Sequence, residues 1–179
     1  QDVPGTRIMI FYPQQEVRSM QKLQMATQEG NNVSVVAVNG NFDHAQTGVK
    51  QIFQSEELQE KMSQNGFGFS SANSINWGRL APQIVYYFSA YLDMLKQGRI
   101  EFGQEINAVV PTGNFGNILA AWYARNMGLP LGRLICASND NKVLTDFIQT
   151  GVYDRRREFH QTISPSMDIL ISSNLERLL

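Results

Sequence analysis

The chain has 179 residues, 42% of them apolar, and its 15 basic and 16 acidic residues give a net charge of −1. This length suits one large domain or parts of two, with enough apolar residues to form a core. The charge balance is not typical of nucleic-acid or membrane-surface proteins, and no apolar run is long enough to span a bilayer. The single cysteine excludes an internal disulfide and fits a reducing compartment. We therefore expect a soluble, cytoplasmic protein without nucleic-acid or membrane partners.

Short apolar runs alternate with amphipathic segments in the first half of the chain. Residues 7–12 and the β-branched run 33–38 predict buried strands. Helices are predicted over 16–28 and from a cap at Asn41 or Asp43 onward, continuing as a polar helix over 55–62. Alternating strands and helices predict an α/β fold, in which a parallel sheet carries helices on both faces in three layers.

A Gly- and Phe-rich stretch at 64–69 interrupts this alternation. We place a domain change there, so that residues 1–66 form part of a first α/β domain and 67–179 part of a second. The second half predicts a helix over 77–96 that is buried on more than one side. Further elements are predicted at 106–110 (strand), 117–127 (helix), 134–137 (strand), and in a helix that Ser138-Asn139-Asp140 caps and Gly151 ends.

The most informative stretch is Pro111-Thr112-Gly113-Asn114-Phe115-Gly116-Asn117, which joins a predicted strand to a predicted helix. Backbone N–H groups at a helix N-terminus, together with the helix dipole, favour an anion. Gly113 and Gly116 would let the backbone approach a phosphate, and the Asn side chains add donors. By itself the pattern fits an ordinary strand–helix turn equally well.

A second polar stretch, Ser70 to Arg79, precedes and enters the helix predicted over 77–96. Asn and Ser are good N-caps, so a heavily capped helix start explains most of it. Arg79, however, would lie near the positive end of the helix dipole, where a cation is disfavoured without a nearby anion. This conflict predicts a binding site for a carboxylate or phosphate.

Taken together, these stretches resemble the threonine synthase family, from about Ile8 to the end of the chain. The resemblance rests on four motifs: Ser71-Ala72-Asn73-Ser74-Ile75-Asn76-Trp77 with Arg79, Pro111-Thr112-Gly113-Asn114-Phe115-Gly116-Asn117, Gly128-Leu129-Pro130, and Ala137-Ser138-Asn139-Asp140-Asn141. It implies a fold-type-II pyridoxal-phosphate enzyme. Enzymes of this family convert O-phosphohomoserine and water into threonine and phosphate, and two α/β domains hold their cofactor.

The resemblance also implies roles for individual residues. The cofactor phosphate would be bound by Gly113, Asn114, Phe115, Gly116 and Asn117. The substrate's anionic groups would be contacted by Asn73, Ser74, Asn76 and Arg79, and no metal is expected.

The family's Schiff-base lysine lies in a motif N-terminal to anything present in this chain. None of the lysines at 22, 50, 61, 96 and 142 has that sequence context. We therefore expect no catalytic residue in this chain, which would be an inactive central fragment of a longer enzyme. Exposed sheet edges would allow such a fragment to self-associate.

Two alternatives remain open. Another fold-type-II enzyme, of the threonine dehydratase or cysteine synthase type, would share the Gly/Asn loop, but the Ser-Ala-Asn-Ser-Ile-Asn-Trp stretch argues against it. A non-catalytic α/β module that binds nucleotides or partner proteins would also tolerate the loop. Against that module, the sequence has no acidic ribose-binding residue in a convincing position and no second Gly-rich turn.

Overall fold

The structure is a computed structural model that describes residues 2–14, 17, 19–40, 42–72 and 76–178, with the side chains of 42, 43 and 165 outside this description. The chain divides into two units, Gln1–Phe69 and Ser70–Leu179. Each unit contains one pair of parallel strands with helices packed against it. The predicted α/β class with parallel strands is therefore confirmed. Within the described ranges, no helix combines the length and apolar character needed to cross a membrane.

The first unit is built from two strands and three helices. In chain order these are β1 (Ile8–Pro13), α1 (Ser19–Ala26), β2 (Val33–Val38), α2 (Phe42–Gln54) and α3 (Glu56–Gln64). The two strands pair in register from Ile8 opposite Val33 to Pro13 opposite Val38.

Two expectations for the first unit need correction, and a third is tested only in part. The strands are not buried as predicted: only Tyr12 and Pro13 of β1 are buried and no residue of β2 is, because a two-stranded sheet leaves faces and edges open. The polar stretch after Ser55 is a separate helix, since the Ser55 side chain accepts a hydrogen bond from the Leu58 N–H at 3.4 Å and caps α3. Of the two proposed caps for α2, Asp43 lies inside the helix and Asn41 is outside the described residues.

The second unit follows the predicted order closely. Its elements are α4 (Trp77–Lys96), β3 (Ile106–Pro111), α5 (Gly116–Asn126), β4 (Leu131–Ala137) and α6 (Val143–Thr150), followed by two short 3-10 turns at Pro165–Met167 and Leu175–Arg177. The predicted helix over 77–96 is confirmed at both ends. The register of the sheet places Val109 beside Ile135 and Val110 beside Cys136.

The core of the second unit lies on one face of this sheet. Leu80 of α4 and Leu119 of α5 are fully buried there, in contact with a cluster that includes Val110 of β3 and Val143 of α6. Helix α4 is not buried on more than one side as predicted. Its buried residues are Leu80 and Tyr91, and several of its other apolar side chains are well exposed.

The predicted cap of α6 is wrong. Lys142 occupies the N-cap position without a side-chain hydrogen bond, and α6 ends at Gly151 with φ 74°, as predicted. Asn139 instead donates to the Asp168 carboxylate at 2.7 Å. The polar run before α6 therefore ties this helix to the C-terminal part of the chain.

Helices α4 and α5 pack against each other through polar as well as aromatic contacts. The Trp77 ring meets the edge of Tyr123 at 5.4 Å between centroids. Farther along α4, the Tyr87 hydroxyl donates to the Oδ1 of Asn117 at 2.8 Å and to its carbonyl oxygen at 3.1 Å. Burial raises the pKa of Tyr87 to about 12.

Replacing Leu119 by Ala should lower the free energy of unfolding by about 2–5 kcal/mol, because the side chain is fully buried and its loss leaves a cavity. Leu92→Ala is the matched control, since Leu92 of α4 is 59% exposed and should cost far less. Urea unfolding of the two variants measures the difference. Equal losses would show that the core is not where the structure places it.

The raised pKa of Tyr87 predicts a loss of stability at alkaline pH. The folded state holds the phenolic proton more tightly than the unfolded chain, whose tyrosine pKa is near 10.0. Stability is therefore fully present below about pH 10 and falls as the pH rises toward about 12. In Tyr87→Phe this loss should be smaller, as measured by urea unfolding at about pH 8 and about pH 11. An identical alkaline loss in both proteins would contradict the assignment.

Candidate anion-binding site

The loop between β3 and α5 begins where the sheet ends. The Thr112 N–H donates to the Ala137 carbonyl at 2.8 Å, and the Thr112 hydroxyl donates to the Val110 carbonyl at the same distance. These bonds anchor the first residue of the loop to the ends of both strands. Thr112 is 5% exposed, so the loop leaves the sheet from a buried point.

Phe115 is the residue that turns the chain into the helix. It occupies the N-cap position of α5 with φ 66° and ψ −5°, in the left-handed region that non-glycine residues seldom adopt. Its ring is buried in the same core cluster as Leu119. This packing holds the strained backbone in place.

The two glycines of the loop were predicted to let a phosphate approach, and the structure shows a further reason for small size at Gly113. Neither Gly113 nor Gly116 has a positive φ. At Gly113 the backbone is approached by the chain itself, because an added Cβ would lie 3.0 Å from the Ser166 carbonyl oxygen and 3.2 Å from Cγ1 of Ile169. Residue 113 must therefore be small, because the segment that carries Ser166 and Ile169 packs over the loop.

The turn presents backbone donors without acceptors. In the described part of the second unit, the N–H groups of Asn114, Phe115, Gly116 and Asn117 form no hydrogen bond, and the first bond back along the helix is from Leu119 to the Phe115 carbonyl at 3.0 Å. Phe115 and Gly116 are buried. Because an unpaired buried N–H is costly, this arrangement favours an external acceptor, and the helix dipole favours a negatively charged one.

Two amide side chains add to these donors. The Oδ1 of Asn117 accepts from Tyr87, which leaves its NH2 group without a partner among residues 76–178. The half-buried Asn114 side chain likewise forms no hydrogen bond to a described residue. The loop thus offers neutral donors from both backbone and side chains.

The second predicted stretch has a different local role. Asn73 and Ser74 lie outside the described residues. Asn76 caps α4, accepting from the Gly78 N–H and donating to the Ser71 carbonyl, both at 2.9 Å. Arg79 is exposed, and its guanidinium donates to the Ala72 carbonyl at 2.5 Å. Among the described residues, the partner of the Arg79 guanidinium is a neutral carbonyl oxygen and not a carboxylate.

No hydrogen bond joins Asn76 or Arg79 to the described residues of the loop. Leu80, which follows Arg79, lies in the same core cluster as Phe115 and Ile118. A substrate-binding role for Asn76 and Arg79 therefore stays a prediction.

The basic residues near α6 are engaged elsewhere. Lys142 pairs with Asp146 at 3.4 Å and its side chain is 60% exposed. Arg157 also pairs with Asp146, and its hydrogen bond lowers the pKa of that carboxyl. In the described residues, no group of three or more His, Cys, Asp or Glu side chains is arranged to hold a metal ion.

Two residues that contact the loop, Ser172 and Asn174, were not predicted from the sequence. The Ser172 hydroxyl and the Nδ2 of Asn174 both donate to the carbonyl of Asn114, at 3.1 and 3.0 Å. They lie 58 and 60 residues away along the chain. No local periodicity or motif spacing reports a contact over that distance.

No family model matches the chain. The chain is 52% identical over 172 residues to threonine synthase-like 1 of Macaca fascicularis, covering 95% of this chain and 23% of that protein. It is 44% identical over 174 residues to threonine synthase of Eremothecium gossypii, covering 96% and 32%. The crystal structure of pyridoxal-phosphate-bound threonine synthase from Brucella melitensis superposes with a TM-score of 0.75 at 43% identity, covering 97% of this chain and 35% of that one. The chain thus spans roughly a quarter to a third of these relatives, and in sequence and in fold it matches a segment of the threonine synthase family over nearly its whole length.

Proposed function

We propose that residues 112–117 bind the phosphate of pyridoxal phosphate. The observation that carries this proposal is the buried turn whose successive unpaired N–H groups lie at the N-terminus of α5. Threonine synthase from Brucella melitensis, which is 43% identical to this chain, was crystallised with the same cofactor bound. The donor set fits a phosphate because its groups are neutral, numerous and already oriented.

Both backbone and side-chain groups of the loop would donate hydrogen bonds to the phosphate. The N–H groups of Phe115 and Gly116 lie in the buried turn and would donate to phosphate oxygens without reorganisation. Asn114 and Asn117 would add amide donors from their side chains, and Tyr87 fixes the orientation of the Asn117 amide. When bound, pyridoxal phosphate acts as an electron sink for carbanion chemistry.

We further propose that the chain is part of an enzyme that converts O-phosphohomoserine and water into threonine and phosphate. The identity of the relatives as threonine synthases favours this reaction over those of threonine dehydratase or cysteine synthase. A substrate-binding role for Asn73, Ser74, Asn76 and Arg79 follows from the resemblance alone. Cytoplasmic location and self-association of this chain remain predictions of the same kind.

In the described part of the second unit, no lysine contacts the loop. Lys96 and Lys142 are the lysines of the second unit; both are exposed, and Lys142 pairs with Asp146. Covalent attachment of the cofactor through this chain alone is therefore not expected, and we propose that the 179 residues by themselves are inactive. The contribution of this chain is the phosphate anchor.

Replacing Asn117 by Asp tests the proposed anchor. The change keeps the oxygen that accepts from Tyr87 but exchanges the free NH2 donor for a carboxylate oxygen. We expect the affinity for pyridoxal phosphate and for inorganic phosphate to fall about tenfold or more, because two like charges come close together. The free energy of unfolding should not fall, since a carboxylate in the first turn of a helix is favourable.

Asn126→Asp is the matched control, because Asn126 is exposed at the other end of the same helix. Calorimetric titration should show that Asn126→Asp binds each ligand with the same affinity as the wild-type protein. Wild-type protein that binds neither ligand, or equal affinities in wild type and Asn117→Asp, would refute the proposed anchor.

Borohydride reduction of the 179-residue chain in the presence of pyridoxal phosphate should give no stoichiometric adduct at a specific lysine. The physical reason is that Lys96 and Lys142 are exposed and form no hydrogen bond to residues 112–117. Peptide mapping by mass spectrometry distinguishes scattered, substoichiometric labelling from one full adduct. A single lysine labelled to completion would show that the chain carries its own covalent site.

A further inference from the structure

We propose that Asn174, assisted by Ser172, is a positioning residue for the phosphate loop. It would act by holding the peptide unit between Asn114 and Phe115 in the one orientation that aims the Phe115 N–H at the anion site. This inference rests on the proposed phosphate-binding role of residues 112–117. It assigns a function to two side chains that lie far from the loop in the sequence.

The contact is built from buried, oriented groups. Asn174 is fully buried, and its Nδ2 donates to the Asn114 carbonyl at 3.0 Å. Its Oδ1 accepts from the Arg177 guanidinium at 2.7 Å, which fixes the direction of the amide. The Ser172 hydroxyl donates to the same carbonyl at 3.1 Å.

The geometry of a peptide unit connects this contact to the binding site. The Asn114 carbonyl and the Phe115 N–H belong to one planar, trans unit, so they point in opposite directions. Two donors that hold the carbonyl on one side therefore hold the N–H on the other. That N–H is one of the donors without an acceptor in the described residues.

The contact from Ser172 and Asn174 opposes a conformational preference of the Phe115 backbone. A left-handed φ of 66° is unfavourable for a residue with a Cβ. A flip of the Asn114–Phe115 peptide would bring φ of Phe115 to a negative value and relieve the strain. It would also turn the Phe115 N–H away and leave a carbonyl oxygen in its place. The bonds from Ser172 and Asn174 oppose that flip.

The rest of the C-terminal segment supports the same contact. The Ser166 carbonyl oxygen and the Ile169 side chain pack over Gly113. Between them, Asp168 accepts from Asn139 at 2.7 Å and from Asn141 at 3.1 Å. The segment that carries Ser172 and Asn174 is thus fastened to the loops that follow both β3 and β4.

Asn174→Asp is the most direct test, because the side chain keeps its size and an oxygen for Arg177 but presents an acceptor to the Asn114 carbonyl. Affinity for inorganic phosphate and for pyridoxal phosphate should fall about tenfold or more, the size expected when backbone strain is no longer opposed. Ser172→Ala should give a smaller loss. Leu129→Ala is the control for general destabilisation, since Leu129 belongs to a separate core cluster and its loss should leave both affinities unchanged.

A readout that needs no ligand separates this inference from the proposed function. A positive φ at Phe115 gives a strong intraresidue NOE between its N–H and Hα, which should be present in wild type and Leu129→Ala and weak in Asn174→Asp. Retention of both this NOE and the affinities in Asn174→Asp would overturn the inference, as would equal loss of affinity in Leu129→Ala. Loss of the NOE in Asn174→Asp, in a wild-type protein that binds neither ligand, would support the positioning role and refute the phosphate site.

Discussion

The orientation of the peptide unit between Asn114 and Phe115 is the constraint on which the candidate site depends. Its carbonyl accepts hydrogen bonds from Ser172 and Asn174, and its N–H is one of the unpaired donors at the start of α5. The strained φ of Phe115 shows that this orientation is imposed by the surroundings rather than preferred by the residue. A phosphate site made of neutral backbone donors needs such an imposed geometry, because it has no charged side chain to adjust to the ligand.

The core of the second unit provides the rigidity that the loop requires. Phe115 packs into the same cluster as Leu119 and Leu80, so the residue that carries the strain is also a core residue. Helix α4 contributes to this core through Leu80 and to the site through Tyr87, which orients the Asn117 amide. Packing around Leu80 and Phe115 and binding at the loop therefore share the α4–α5 pair.

Local patterns in the sequence were sufficient for the fold class and for the strand–loop–helix unit, because hydrophobic periodicity and turn residues act over a few positions. They were less reliable for caps: Asn139 looked like a helix cap and instead binds Asp168. They predicted that Gly113 and Gly116 let the backbone approach a phosphate, but they did not identify Phe115 as the left-handed residue. The contact from Asn174 spans 60 residues, and such contacts are set by tertiary packing that no local pattern encodes.

The central claim is that the unpaired N–H groups of residues 114–117 are the phosphate donors. Titration of the ¹⁵N-labelled chain with inorganic phosphate, followed in ¹H–¹⁵N correlation spectra, tests it residue by residue. We predict saturable downfield shifts of the amide protons of Asn114, Phe115, Gly116 and Asn117, with little change at Asn126, which is exposed at the other end of α5. Saturable shifts that leave those four amides unmoved, or no saturable shift at all, would contradict it.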